Sequence, residues 1–389
     1  VATIPRTKTV NPLGIYGDER YYFRYAYQML VGNGFSISFN EGNVEKVLPV
    51  ITRAPGYSFF VSQIFGLFGM PKNPLKTDTW VDLLERVRYF QCFLDSLCCL
   101  LIFYMARMLE RDKSYMPFLA ALFYACSPYN AHYSGRILSE TLTTIILACT
   151  FLLAMKAIKS GNHRWYFATG LFLGFLSLVR PQYQLCGPMA FCSLLIFQRK
   201  NIVTALTRAS LLLLATALII TPWTIRNYLR FRHFVPVSVG SLGQALFMGT
   251  VQLNEKSWRG WSRVPDDGTL EADVKKKADY LMALQLPLQQ EPIETVIEKE
   301  REFVSLALSR MKRKPLTVLR AWLHKMPRLW YLQQEHIYGH REASGFLFLI
   351  WVILGSVGLF MAPADIRILL LPICLMIVYI FVIFLPLWI

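Results

Sequence analysis

Charged residues are scarce in this sequence: they make up 17% of its 389 residues, whereas hydrophobic residues make up 54%. A soluble globular domain carries about a quarter charged residues, so this chain has little polar surface to present to water. Its aromatic content of 14% suits a protein that meets two boundaries between water and lipid. The composition therefore argues against a soluble protein and favours one embedded in a membrane.

Clustered metal ligands and nucleotide-binding motifs are lacking as well. The eight cysteines lie in apolar stretches and form no CxxC motif or Cys/His group, which is typical of small buried hydrophobic side chains. His336 and His340 are four residues apart, but ordinary polar residues explain them better than a metal site does. The glycine-rich segment 239–250 has neither a P-loop lysine nor GxGxxG spacing. The residues themselves assign no cofactor.

Seven stretches of the chain are nearly free of charge. They are Leu97–Leu109, Thr141–Met155, Leu171–Val179, Leu185–Phe197, Ser210–Trp223, Phe346–Met361 and Ile368–Trp388. Several reach or nearly reach the ~20 residues that an α-helix needs to cross a bilayer. They predict an all-α, polytopic helical membrane protein.

Basic residues concentrate in alternate connectors between the apolar stretches. The basic connectors are 107–113, 156–164 and 198–201, and the aromatic, lysine-poor ones are 127–136 and 180–184. Because positive loops stay inside, we expect the first set to face the cytoplasm, with segments 1–57 and 226–342 on the opposite side. The net charge of +16 then reflects cytoplasmic loops and anionic lipids rather than a nucleic-acid partner.

Acidic residues and arginines gather on the predicted extracytoplasmic side. Asp18 and Glu19 begin a predicted helix, Asp18–Leu30, where the helix dipole favours negative charge. Other charges stand at the ends of apolar stretches: Arg136, Glu140, Arg180 and Arg226. Any one of them could serve only as a helix cap or reach toward water, but charges that converge from several segments indicate a functional site.

Two elements of segment 1–85 are expected to lie in the membrane interface. Asp18–Leu30 is rich in tyrosine, and Gly56–Gly69 is apolar but too short to span. We expect a polar loop through Ser38–Lys46 to connect them.

An acid surrounded by arginines at a membrane surface suits one type of reaction. A lipid phosphate is a good leaving group that needs no general acid, and arginines can stabilise its charge. The attacking hydroxyl must instead lose a proton, for which one carboxylate serves as general base. Such a one-step displacement inverts the anomeric centre. The residues therefore favour sugar transfer from a lipid-linked donor.

Four motifs occur in order between Gly17 and Asn227: "GDERYYFRYA", "TRAPGYSFFVSQIFGLFG", "GRILSETL" and "TPWTIRNYLRF". Together they resemble the integral-membrane C-type glycosyltransferases, in particular the protein O-mannosyltransferase-like and lipid A aminoarabinose transferase-like enzymes. The resemblance implies a polyprenyl-phosphate sugar donor and an acceptor that is a glycan, lipid A or a protein. Metal dependence varies within this family, so a divalent metal stays open.

The resemblance also assigns candidate site residues. Asp18 matches the family's catalytic acid, and Glu19 matches its acidic neighbour. Arg53, Arg180 and Arg226 are candidates for the donor phosphate. Further candidates for substrate binding are Tyr57, His132, Arg136, Glu140 and Asn227.

The expected organisation has four parts. They are an extracytoplasmic loop with interfacial helices (1–85), a transmembrane helix bundle (86–225), a long extracytoplasmic loop region (226–343) and C-terminal transmembrane helices (344–389). The family has a helix before the acidic loop and further spans at the end, so we expect a chain that is incomplete at both ends. Its expected location is the bacterial cytoplasmic membrane, with the site facing outward.

Two alternatives stay open on the sequence. A lipid-linked sugar flippase or transporter would also hold charges in a helical membrane domain, although related halves or charges near mid-span are expected there. A non-enzymatic membrane subunit of glycan assembly would tolerate the loss of Asp18. Charges at helix ends on one side favour the transferase.

Overall fold

The computed structural model describes residues 17–41, 44–69, 77–110, 114–198, 201–240, 242–251, 270–283 and 292–325, and short pieces between 362 and 375. The chain divides into two units, Val1–Val237 and Ser238–Ile389. The predicted stretch Phe346–Met361, most of Ile368–Trp388, and both His336 and His340 lie outside the described residues. The predicted four-part division stays a prediction.

The first unit begins with two helices that the sequence predicts correctly. Helix α1 spans Asp18–Leu30 and helix α2 spans Gly56–Phe68. Helix α1 ends where the chain turns through Gly32 and Gly34, whose φ angles of 87° and 66° favour residues without a Cβ.

The segment between these helices is a β-hairpin, so the expected polar loop is wrong. Strand β1 spans Ser36–Glu41 and pairs antiparallel with β2, Val44–Pro49. Ile37 is buried and faces the core, as the alternation of a strand with one covered face requires. The polar residues around the turn concealed this alternation in the sequence.

Long apolar helices follow in the rest of the first unit. Their bounds are α3 Thr77–Leu109, α4 Met116–Ala125, α5 Pro128–Ser134, α6 Glu140–Ser160, α7 His163–Val179, α8 Cys186–Phe197 and α9 Ile202–Phe231, with a 3-10 turn at Pro181–Tyr183. Within the described ranges, three segments are long and apolar enough to cross a membrane: Trp80–Leu109, Glu140–Ser160 and Ile202–Phe231. The predicted helical membrane protein is confirmed.

Helix α7 packs tightly against α9 through two glycines. A Cβ at Gly170 would lie 2.1 Å from the Leu212 carbonyl oxygen, and one at Gly174 would lie 2.6 Å from Cβ of Ile219. The Thr216 hydroxyl donates a hydrogen bond of 3.0 Å to the Gly170 carbonyl. Small residues spaced by four let two helix backbones approach closely in a membrane.

Helix α2 packs on the end of α7 at a third close approach. A Cβ at Gly56 would lie 2.7 Å from the Leu178 carbonyl oxygen. The same apolar core includes Phe23 of α1 and Tyr57 of α2 as well as Val179. This packing fixes the start of α1, the residues before α2 and the residue after α7 in one region.

The second unit contains α10 Leu242–Gly249, α11 Ala272–Ala283, α12 Ile293–Arg313 and α13 Pro315–Lys325. Its core is formed by residues such as Phe247, Met248 and Phe303. Glu300 on α12 accepts a 2.5 Å hydrogen bond from the Gly243 backbone N–H. Burial raises the pKa of Glu300, and the bond from Gly243 opposes this shift.

Candidate active site

Asp18 and Arg53 form the most accessible acid–arginine pair of the site. Asp18 is the first residue of α1, and Arg53 lies just before α2. Nη2 of Arg53 lies 2.8 Å from Oδ1 of Asp18, and Nη1 lies 3.1 Å from Oδ2. Burial opposes the charge of Arg53, but Asp18 together with Tyr22 and Tyr25 outweighs that effect, so the pKa of Arg53 is raised.

Glu19 lies beside Asp18 but is in a different environment. Its side chain is only 1% exposed, compared with 47% for Asp18. Oε1 of Glu19 accepts a 3.0 Å hydrogen bond from the Ile137 backbone N–H and lies 3.2 Å from Nε of Arg136. Glu19 therefore fixes the start of α1 to the turn that precedes α6.

The same turn is held by a buried amide on α3. Gln91 donates through Nε2 to the carbonyl oxygens of Arg136, at 2.6 Å, and of Ser134, at 3.0 Å. Its Oε1 accepts the Tyr57 hydroxyl at 2.6 Å. Tyr57, a predicted substrate-binding residue, is fully buried, so its observed contact is a link between α2 and this turn.

Glu140 and Arg180 form the third pair, at the start of α6 and the end of α7. Nη2 of Arg180 donates to Oε1 of Glu140, and Nε donates to the Ser139 hydroxyl at 3.0 Å. Burial opposes the charge of Arg180, but Glu140 together with Tyr22 and Tyr183 outweighs that effect, so the pKa of Arg180 is raised. Among the described residues, the buried Oε2 of Glu140 has no hydrogen-bond partner.

Tyr22 lies between the first and third pairs, and it was not among the predicted site residues. Its hydroxyl faces Ser139 and feels the charges of both Arg53 and Arg180. Burial raises the pKa of Tyr22, and the two arginines oppose that shift. Tyr22 follows Asp18 by four residues, a spacing that places both on one helix face. This four-residue spacing was the feature of the sequence from which Tyr22 could have been predicted as a site residue.

Arg226 and Asn227 lie next to the hairpin. Arg226 donates to the carbonyl oxygens of Val50 at 2.8 Å and Phe35 at 2.9 Å. Asn227 is buried and donates to the carbonyl oxygen of Val235 at 2.9 Å. These contacts attach the end of α9 to the residues beside the hairpin and to the segment that follows α9.

His132 is exposed on α5, and its ring packs against Tyr133 at a centroid distance of 5.3 Å. No described contact joins it to the three acid–arginine pairs. Within the described part of the chain, no group of three or more His, Cys, Asp or Glu side chains could hold a metal ion.

The chemistry that this arrangement can perform follows from its charges. Three carboxylates and three guanidinium groups lie at helix ends or in the turns beside them, and Asp18, Arg53 and Arg136 are partly exposed. Guanidinium groups bind phosphate oxygens bidentately, and an exposed carboxylate can accept a proton. The site can therefore hold an anion beside a base at the edge of a membrane domain.

Residues 81–225 match the family model described as "Dolichyl-phosphate-mannose-protein mannosyltransferase". No curated protein and no solved structure matches the chain. The matched segment contains Arg136, Glu140 and Arg180, whereas Asp18 and Arg53 precede it. This match confirms the predicted resemblance over residues 81–225 and supports a membrane glycosyltransferase of the C type.

Proposed function

We propose that this integral membrane glycosyltransferase moves a sugar from a polyprenyl-phosphate donor to an acceptor hydroxyl, with inversion at the anomeric carbon. The observation that carries the proposal is the convergence of acid–arginine pairs from separate helix ends, two of which face Tyr22. The family match covers the helices that contribute Arg136, Glu140 and Arg180. We place the site on the outer face of a bacterial cytoplasmic membrane.

Asp18 acts as the general base in this proposal. It is the most exposed of the three carboxylates, at 47%, compared with 26% for Glu140 and 1% for Glu19. A base must reach the hydroxyl of an arriving acceptor, and Asp18 meets that condition best. Glu19 is then a positioning residue that fixes the start of α1.

Arg53 and Arg180 bind the donor phosphate. Arg53 is engaged by Asp18 in a partly exposed ion pair, and such pairs are worth only about 0–1 kcal/mol. Arrival of the donor's phosphodiester, which carries one negative charge, draws Arg53 away from Asp18 at little cost. The donor thereby frees the carboxylate that the acceptor requires.

The reaction balances without another reactant. Asp18 takes the proton of the acceptor hydroxyl, and the acceptor oxygen forms a bond to the anomeric carbon. The bond from that carbon to the phosphate oxygen breaks, and the phosphate keeps the electron pair. The guanidinium groups of Arg53 and Arg180 stabilise the charge that develops on the phosphate.

An apolar groove gives the donor chain a place to lie. It has a volume of about 510 Å³, lies between α8 and α9 and is lined by Leu213, Ala217 and Ile220, among others. Gln184 also lines it and follows Arg180 by four residues. A polyprenyl chain in this groove would bring its phosphate toward Arg180.

The experiment is a transfer assay with the full chain in nanodiscs. A panel of polyprenyl-phosphate sugars and the corresponding nucleotide sugars is supplied with membrane-derived acceptors. We expect transfer from one lipid-linked donor, with a product whose anomeric configuration is opposite to that of the donor. Transfer from the nucleotide sugar alone, or with retained configuration, would refute the proposal.

A further inference from the structure

A cavity with polar and charged lining lies at the C-terminal end of α1, the end opposite Asp18. It has a volume of about 450 Å³ and is formed by the end of α1, the hairpin and the end of α9. Its lining includes Asn33 and Ser36 together with Trp223, Arg226 and Arg230. The cavity is therefore mixed in character, with polar and charged groups beside the aromatic rings of Phe35 and Trp223.

The cavity carries two positive charges that have no carboxylate partner among the residues that the structure describes. Arg226 and Arg230 are four residues apart on α9 and so lie on one helix face. In the described ranges, the ion pairs include neither of them, and the two guanidinium groups repel one another. Arg226 is fixed by backbone carbonyls and lies over the Trp223 ring at 4.7 Å. Arg230 is exposed, so its donors are accessible.

This cavity is separate from the site around Asp18. Met29 lines the cavity and is eleven residues from Asp18 on the same helix, which corresponds to about 16 Å along the axis. The donor phosphate is bonded to the anomeric carbon that reacts beside Asp18. While its sugar reacts, this phosphate therefore stays at the Asp18 end of α1.

We propose that the cavity binds an anionic group of the acceptor, a phosphate or a carboxylate, while a hydroxyl of the same acceptor reacts at Asp18. The proposal rests on the proposed glycosyl transfer and adds a class of acceptor to it. Two guanidinium groups on one face are suited to an oxyanion, and the rigid hold on Arg226 leaves little entropy to lose on binding. The acceptor is thereby fixed at two points, which orients its hydroxyl.

The test compares Arg230→Gln with Arg232→Gln in the full chain, in nanodiscs of zwitterionic lipid. Both residues are exposed and each change removes one positive charge, but only Arg230 lines the cavity. We expect Arg230→Gln to raise the KM for an anionic acceptor on the order of tenfold, the loss of one charge-assisted contact. The KM for the donor should stay unchanged. Arg232→Gln should match the parent.

Three results would overturn the proposal. One is an equal effect of the two variants, and another is a change in the donor KM instead of the acceptor KM. The third is an Arg230→Gln effect that persists when the same acceptor has been stripped of its anionic group. The same comparison is repeated in nanodiscs that contain anionic lipid. If the anionic lipid abolishes the difference in acceptor KM between Arg230→Gln and the parent, the cavity binds a bilayer headgroup. The assignment of the cavity to the acceptor is then wrong.

Binding of inorganic phosphate, measured by calorimetry on the same nanodiscs, separates this proposal from the transfer reaction. Weaker phosphate binding by Arg230→Gln than by Arg232→Gln supports the cavity even if no sugar is transferred. Equal phosphate binding by both variants counts against the cavity even if transfer is intact. The two proposals can therefore fail independently.

Discussion

Arg53 donates hydrogen bonds from both of its terminal nitrogens to the carboxylate of Asp18, at 2.8 and 3.1 Å, and the two residues are 35 positions apart in the sequence. This bidentate pair joins the start of α1 to the segment before α2. Because both side chains are partly exposed, solvent screens the pair and it contributes little to stability. We expect the pair to matter for the reaction instead, because it holds a phosphate-binding group directly against the proposed base.

Arg53→Lys keeps the charge but removes the fork that binds two oxygens. We expect kcat/KM for the donor to fall on the order of tenfold, while thermal unfolding stays close to that of the parent. Donor titrations of both proteins measure this effect. The matched control is Arg86→Lys, which alters the exposed Arg86–Asp82 pair on α3 and should change neither quantity.

Glu19→Gln should reduce stability more than catalysis. The amide oxygen of the variant can still accept the Ile137 N–H. The variant loses the negative charge of the buried Glu19 side chain, which faces Arg136. We expect a loss of roughly 1–3 kcal/mol in the free energy of unfolding, seen as a lower midpoint in thermal unfolding, and kcat within a few fold of the parent. A loss of transfer without a loss of stability would instead give Glu19 a direct role.

Gly170→Ala tests the close approach of α7 and α9. The added Cβ would lie 2.1 Å from the Leu212 carbonyl oxygen, so the helices must separate, at a cost of about 1–3 kcal/mol. Gly66→Ala is the control, because its nearest neighbour would be 3.8 Å away and the helix gains from alanine. Thermal unfolding in detergent should show a loss for the first variant alone.

The partly buried carboxyl of Glu300 should make stability depend on pH. Burial raises its pKa above the ordinary glutamate value, so the folded chain binds this proton more tightly than the unfolded chain does. Stability is then lost as the pH rises from the ordinary value through the raised one. Glu300→Gln keeps an acceptor for Gly243 and should unfold at a higher temperature than the parent at pH 8, with the difference shrinking toward pH 4. An equal difference at both pH values would contradict this explanation.

The local elements of the site were predictable from sequence, but their partners were not. Helix α1 follows from an acidic start and a glycine stop, and Asp18, Glu140 and Arg180 lie at helix ends as expected. Which acid meets which arginine depends on the packing of α2 against α7, and sequence periodicity carries no information on that contact. The roles of Tyr22 and Gln91 were missed for the same reason, because both act between helices.

The most direct test of the central claim is sugar transfer by Asp18→Asn, with Asp82→Asn as the matched control from an exposed pair elsewhere. Both variants are assayed in nanodiscs with the donor that the parent uses, after folding and donor binding have been verified. We expect Asp18→Asn to lose ~10²–10⁴-fold in kcat, while Asp82→Asn transfers sugar like the parent. Equal transfer by both variants would contradict the account and remove the proposed base from the reaction.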